Sequence, residues 1–247
     1  MRIPRFYLPA DYTVGATIPL DKHQVHYALN VLRLKHQRPV EVFDGNGNQA
    51  QALLAVIDRR HAEVVITDIE KVNRESPLHT LLLQGISKGD RMDFTIQKAT
   101  ELGVTAIQPL FTEHCDVKLT AEKQLKRQQH WQDIAISACE QSYRNQLPQI
   151  LPAMTFADWL ATSEQVQGVV LSPTASMRLK QLTPPTISPT PAPFAVLIGP
   201  EGGLTDHEVA QATQKGLQPL CLGSRILRTE TAGLVILSAL QTLWGDF

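Results

Sequence analysis

Two short segments in the C-terminal third of the chain concentrate glycine, charge and threonine where apolar runs end. The first is Ile198-Gly199-Pro200-Glu201-Gly202-Gly203-Leu204-Thr205, which follows the apolar run AVLIG (195–199). Ligands of open α/β sheets bind beyond the carboxyl ends of strands, and glycines there let the backbone approach a ligand closely. Thr205 and Glu208 have the spacing of a capping box, with Asp206 in the first helical turn and Gly216 as the stop. No Gly-Lys-Ser/Thr follows, so this is not a Walker phosphate loop. Taken alone, G-x-x-G-G serves equally well as a tight strand–turn–helix connection.

The second segment is Leu222-Gly223-Ser224-Arg225-Ile226-Leu227-Arg228-Thr229-Glu230-Thr231-Ala232-Gly233. It follows another apolar run, QPLCLG (218–223), and opens a helix over Ala232–Trp244 that is apolar almost all round. Such a helix is expected inside the domain or against another subunit. Two arginines, a glutamate and two threonines entering it need partners, because buried polar groups do. A structural salt-bridge corner is the plainer alternative to a ligand site.

The elements that position these segments divide into two patterns. The first ~70 residues look all-β, with strands expected at 16–20, 38–44, 49–58 and 61–72 and a hairpin turn at Gly45-Asn46-Gly47-Asn48. A helix over 23–33 interrupts them, with Val25, Leu29 and Leu32 on one face. Strands this short are best protected by a small closed or half-closed barrel. After KVNRESP (71–77) the chain alternates apolar strands with amphipathic helices, the signature of an α/β layer structure. Strands are expected at 78–86, 106–111, 168–172, 195–199 and 218–223. A helix is expected at 91–103, with Phe94, Ile96, Ala99 and Leu102 inward and Gly103 as stop, and a long one from about Ala121 to Tyr143. TPPTISPTPAP (183–193) has five prolines in eleven residues and reads as an extended surface connection.

Composition narrows the function classes. The 247 residues are 43% hydrophobic and 19% charged, those of an ordinary globular protein with a real core. No stretch approaches the ~20 continuous apolar residues of a membrane span, and MRIPRFYLPADY has no signal-peptide pattern. Cys115, Cys139 and Cys221 lie far apart with no C-x-x-C, which argues against a disulfide scaffold or zinc site and fits a reducing cytoplasm. His23 and His26 form a lone H-x-x-H without an evident third ligand, so no metal is expected. The net charge of -1 does not advertise nucleic-acid binding, but the first 38 residues hold six Lys/Arg against two acids.

The pairing of I-G-P-E-G-G with L-G-S-R-I-L-R-T-E-T-A closely resembles the C-terminal half of the SPOUT superfamily. Within it, the chain resembles the RsmE family of bacterial 16S ribosomal RNA uridine-N3 methyltransferases. R-I-P-R-F-Y, H-Y-A-L-N-V-L-R (26–33), K-G-D-R-M-D-F-T-I-Q-K-A-T-E-L-G-V (88–104) and A-C-E-Q-S-Y-R-N (138–145) extend the likeness over nearly the whole chain. The resemblance implies a PUA-like, RNA-binding β-barrel over 1–72 and a trefoil-knotted, mostly parallel α/β methyltransferase domain over 73–247. It implies S-adenosyl-L-methionine (AdoMet) as cofactor, a homodimer with its site at the subunit interface, and ribosomal RNA, in the assembled small subunit, as partner. AdoMet would be held by loops carrying Leu171, Ser172 and Pro173, then Ile198, Gly199, Pro200, Glu201, Gly202 and Gly203, then Leu222, Gly223, Ile226, Leu227, Thr229 and Ala232. The Leu171–Met177 loop and the Pro-rich linker match the family only loosely.

Methylation at N3 of uracil requires loss of a proton, and a nearby cation favours the resulting anion. Arg228 is the candidate for that role, Glu201 and Glu230 for orientation or proton acceptance, and Thr229 for orientation. The target base must be unpaired or flipped out. Arg2, Arg5, Arg33, Lys35, Lys88, Arg91, Arg144 and Asn145 are the candidate RNA contacts. Two alternatives remain: a SPOUT ribose 2′-O-methyltransferase, and a non-catalytic RNA-binding protein of ribosome assembly that has kept the fold.

Overall fold

Alternating polar and apolar residues in short runs build the first of two units, formed by residues 1–75 and 139–147. The computed structural model describes residues 3–117, 119–185 and 192–247; Arg2 and much of the Pro-rich stretch lie outside the described residues. Strands β1 (Arg5–Tyr7), β2 (Thr17–Pro19), β3 (Pro39–Phe43), β4 (Asn48–Val56) and β5 (Ala62–Lys71) form one sheet in the order β1-β3-β4-β5-β2. The β1–β3 pair is parallel and the others are antiparallel. Val40, Val42, Ala50, Leu54 and Val64, alternate residues of these strands, are wholly buried in its core. The turn at 45–48 forms as expected, with Gly45 and Gly47 at φ 81° and 103° and the Asp44 carboxylate accepting from the Asn46 and Asn48 amides.

The expected helix over 23–33 is shorter and changes its winding. Helix α1 (Lys22–His26) passes into a π-helical turn, Tyr27–Val31, in which the Leu32 amide donates to the Tyr27 carbonyl. The wider turn rotates the buried stripe, so Ala28 is buried and Leu32 is exposed, against the expected Val25-Leu29-Leu32 face. Strand β1 carries no sequence signal, since three residues are too few for alternation to register.

Cys139–Leu147 joins this unit through Arg5. The Arg5 guanidinium, 5% exposed, donates to Glu41 Oε1 (2.6 Å), to the carbonyls of Cys139 and Arg144 (both 2.8 Å) and to Asn145 Oδ1. Arg144 in turn donates to Glu75 Oε2 (2.5 Å), and Asn145 Nδ2 to the Val72 carbonyl (2.7 Å).

The second unit, residues 76–138 and 148–247, is a parallel sheet covered on both faces. Its elements are β6 (Thr80–Gly85), α2 (Asp90–Glu101), β7 (Ala106–Phe111), α3 (Ala121–Ser142), β8 (Gln149–Ile150), β9 (Met154–Thr155) and α4 (Phe156–Thr162). They continue with β10 (Gly168–Leu171), β11 (Phe194–Ile198), α5 (Asp206–Gln214), β12 (Leu217–Leu220) and α6 (Thr229–Trp244). The strand order is β12-β10-β11-β6-β7-β8, with β9 also on β7, and α3 crosses the division at Ala138. Leu82, Val169 and Val196 face one core with Ile96 of α2, Trp131 of α3 and Leu237 of α6. Their neighbours Leu83, Val170 and Leu197 face the other with Trp159 of α4 and Ala212 of α5. Two covered faces explain why these strands read as continuous apolar runs.

Two helix faces differ from expectation. In α2 the buried stripe is Met92, Thr95, Ile96 and Ala99, and Phe94 is 45% exposed. Phe94 lies two residues, about 200° of rotation, from Ile96 and so points away from the sheet. In α6, Ile236, Leu237 and Leu240 are buried while Val235 and Leu243 are 41% and 48% exposed, so the helix is not covered all round. The elements β8, β9 and α4 fall in a stretch without clear apolar periodicity.

Candidate active site

Strand β10 is hydrogen-bonded to both β11 and β12, so the carboxyl ends of all three lie side by side. The loops that leave them line one cavity of about 580 Å³, a volume ordinary for a small-molecule site. Leu171, Ile198, Leu220, Leu222 and Leu227 give it apolar walls.

The 199–205 loop turns back on itself. A Cβ on Gly199 would stand 2.8 Å from the Gly203 carbonyl carbon, and Gly203 has φ 74°, so both positions favour glycine. The Gly203 amide donates to the Pro200 carbonyl (2.9 Å). The loop ends in the expected capping box: Thr205 Oγ1 accepts from the Glu208 amide and Glu208 Oε2 from the Thr205 amide. In the third loop Arg228 is the N-cap of α6, with extended backbone, and its side chain is exposed at the cavity. Thr229, the first residue of α6, donates from Oγ1 to the Gly199 carbonyl (2.6 Å) and accepts from Gln84 Nε2 (2.9 Å).

The two glutamates at the cavity differ in their partners. Glu201 Oε1 accepts from the Lys88 amide (3.0 Å) and from Arg91 Nη1 (2.7 Å). Partial burial pushes its carboxyl up, but backbone hydrogen bonds from its own amide and from Lys88, together with Arg91, outweigh this and hold it below the ordinary carboxylate range. Glu230 Oε2 is buried and has no hydrogen-bond partner among the described residues. Glu230 itself lines the cavity, so a turn of its side chain would offer that oxygen to a donor on a bound molecule.

All four residues singled out for chemistry, Arg228, Glu201, Glu230 and Thr229, line this cavity. So do the residues named from the sequence as cofactor contacts, except Gly202. Gly202 faces away, its missing Cβ 2.7 Å from His114 Cβ and its carbonyl 3.0 Å from His114 Nδ1. Thr174, Leu204, Asp206, Val209, Leu220, Cys221 and Arg225 also line it; Leu204 and Arg225 stand inside the two quoted motifs but were not named as contacts. Val209 sits one residue beyond the capping box, which is the local signal that could have found it.

The candidate RNA contacts separate by exposure. In the first unit Arg33 and Lys35 are exposed, whereas Arg5, Arg144 and Asn145 are 5%, 6% and 1% exposed and hydrogen-bonded within the unit. Cationic residue type alone did not distinguish the two groups. In the second unit Lys88 is exposed and pairs with Asp116 (2.7 Å), and Arg91 lines the cavity beside Glu201. Among the described residues no group of three or more His, Cys, Asp or Glu could hold a metal ion. No helix there is long and apolar enough to cross a membrane.

Known proteins match this arrangement along its whole length. A family model described as an RNA methyltransferase domain matches residues 74–241, and an RNA methyltransferase PUA domain matches 20–67. Ribosomal RNA small subunit methyltransferase E of Buchnera aphidicola subsp. Schizaphis graminum is 37% identical, covering 99% of this chain and 98% of its own. The crystal structure of ribosomal RNA small subunit methyltransferase E from Neisseria gonorrhoeae, bound to S-adenosyl methionine, is 43% identical with a TM-score of 0.88, and covers 100% of both chains. A Legionella pneumophila protein solved with bound SAM is 36% identical with a TM-score of 0.93, again over 100% of both chains.

Proposed function

Because the chain belongs to the ribosomal RNA small subunit methyltransferase E family, we propose that it methylates N3 of a uridine in 16S ribosomal RNA with AdoMet as donor. The observation that carries this is the cavity at the ends of β10, β11 and β12, with apolar walls, glycine-rich loops and Arg228 at its edge. Bound there, AdoMet supplies an electrophilic methyl group on a sulfonium. Leu171, Ile198, Leu222 and Leu227 suit the adenine ring, and the backbone polar groups of the three loops suit the ribose and methionine ends.

Arg228 stabilises the uracil anion, whose charge lies on O2 and O4. Thr229 holds the start of α6 on the Gly199 carbonyl, which sets where Arg228 stands. Glu230, in the cavity wall and with one oxygen that no hydrogen bond holds among the described residues, is the candidate acceptor of the N3 proton, while Glu201 orients Arg91 at the cavity edge. RNA is gripped by distributed charge, with Arg33 and Lys35 of the PUA-like unit as its exposed candidates. The protein acts in the cytoplasm as a homodimer, with the chain end knotted as in its superfamily. Ile226, 86% exposed, and the outer residues Val235 and Leu243 of α6 supply apolar surface that a second copy would cover.

The glutamate assignment has a pH test. With its carboxyl held low, Glu201 is ionised throughout the working range; whatever it contributes is present above about pH 4.3, the unfolded value, and is lost only as pH falls through the lower folded value. Glu201→Gln should therefore lower turnover several-fold, yet keep the wild-type shape of the pH–rate profile between about pH 6 and 9. Loss of the acidic limb in that variant would make Glu201 the proton acceptor.

The reaction itself is tested by nucleoside mass spectrometry on small ribosomal subunits lacking the modification, before and after incubation with the protein and AdoMet. A new N3-methyluridine peak is expected. A 2′-O-methyl product would move the enzyme to the ribose class, and absence of AdoMet binding in calorimetry would favour a binding-only protein.

A further inference from the structure

We propose that Gln84 is a positioning residue for the AdoMet cavity, acting as the latch that fixes two of its loops to the central sheet. Gln84 lies in β6, opposite Ile198 in register, and is 0% exposed. It does not line the cavity, and its amide is oriented unambiguously. Nε2 donates to the Gly85 carbonyl (3.0 Å), which can only accept, and to Thr229 Oγ1 (2.9 Å). With its proton directed to the Gly199 carbonyl (2.6 Å), the Thr229 hydroxyl uses its lone pair for Gln84. One buried chain thus runs from β6 through the first residue of α6 to the first residue of the glycine-rich loop.

Packing reinforces the chain from the other side. A Cβ on Gly85 would stand 2.5 Å from the Pro200 nitrogen and 2.8 Å from the Gly199 carbonyl carbon, so the loop lies directly on β6 at this point. Gln84 Oε1 is buried with no hydrogen-bond partner among the described residues, and a Cβ on Gly233 would stand 3.8 Å from it. An apolar strand residue would avoid the desolvation cost of that oxygen. A glutamine at this position trades stability for a donor aimed at Thr229. Without that donor the Thr229 hydroxyl can rotate away from Gly199, and the loops, with Arg228 between them, lose a fixed separation.

The inference rests on the AdoMet part of the proposed function, and its test uses binding as well as turnover. In the full chain, Gln84→Met keeps the side-chain length and removes the donor; Thr229→Val removes the hydroxyl. Each should raise the calorimetric Kd for AdoMet about tenfold, the scale of one lost buried hydrogen bond. The double variant should be no more than about twofold weaker than either single, because both break one chain. Thr229→Ser should recover most of the affinity lost in Thr229→Val. A merely structural glutamine would lower the melting temperature without changing Kd, and a Gln84 effect on Kd independent of Thr229 would multiply with that of Thr229→Val; either result overturns the proposal. Should Gln84→Met fail to fold, the Val/Ser contrast at Thr229 decides: equal Kd values in the two would overturn it. Wild-type protein that binds AdoMet but methylates no ribosomal RNA would sink the proposed function while leaving the latch to be judged on Kd; wild-type protein that does not bind AdoMet would sink both.

Discussion

Replacing Arg228 with alanine should lower kcat on small ribosomal subunits about 100- to 1000-fold, the usual consequence of removing one preorganised donor from a developing anion. The side chain stands exposed at the cavity, and no hydrogen bond or ion pair engages it among the described residues, so the free protein leaves it available for a ligand. Its backbone is fixed: the carbonyl accepts from the Ala232 amide (2.8 Å), and the next residue is tied to Gly199. Truncation at Cβ therefore removes the cation without dismantling the helix start, and the AdoMet Kd should move only a few-fold. Arg228→Lys should recover part of the rate, since a point charge still favours an anion but cannot present two parallel donors to O2 or O4. Single-turnover methylation, with AdoMet affinity measured separately, divides the two effects. Full turnover in Arg228→Ala would transfer the anion-stabilising role to Arg91 or Arg225, the other arginines of the cavity wall.

The signals that were legible in the sequence were local ones. A capping box is four residues long, and Thr205–Glu208 forms as its spacing predicts. The glycine-rich loop and the Arg228 segment each follow a strand whose apolar run was visible, and the parallel pairing of β10 with both β11 and β12 brings them to one cavity. What was hidden depends on partners far away in the chain. Gln84 is one polar residue in an apolar strand, and its meaning lies in Thr229, 145 positions later. Arg5, Arg144 and Asn145 are cationic or polar, so residue type alone made them resemble Arg33 and Lys35. Their burial follows from the return of Cys139–Leu147 to the first unit, which no periodicity announces. The π-helical turn at Tyr27–Val31 is similarly silent, because the apolar spacing that suggested Val25, Leu29 and Leu32 assumes the ordinary 3.6-residue turn.

Arg5→Ala should cost about 3–5 kcal/mol of stability, the typical effect of leaving one member of a buried ion pair without the other. Arg5 and Glu41 are 5% and 6% exposed, and their 2.6 Å contact is joined by donations to two carbonyls and to Asn145. Burial pulls the Arg5 guanidinium below its ordinary value and Glu41 opposes this; at neutral pH it stays charged, as arginine does. The truncation leaves a buried carboxylate whose remaining side-chain donor is Gln51 Nε2 at 3.4 Å, together with two carbonyls that lose their charged donor. The stacking of the guanidinium on Phe43, 4.1 Å from the ring centroid, goes as well. Chemical denaturation should show the loss, and Arg5→Met combined with Glu41→Leu should be milder than Arg5→Ala because no charge is stranded. RNA binding supplies the opposing measurement. A phosphate-contacting arginine, when removed, lowers the slope of log affinity against log salt by about one and leaves stability nearly unchanged. Arg5→Ala should do the reverse, while Arg33→Ala and Lys35→Ala should show the salt effect. A loss below about 1 kcal/mol, with the salt slope reduced, would return Arg5 to the RNA interface and require the buried network to be open in solution.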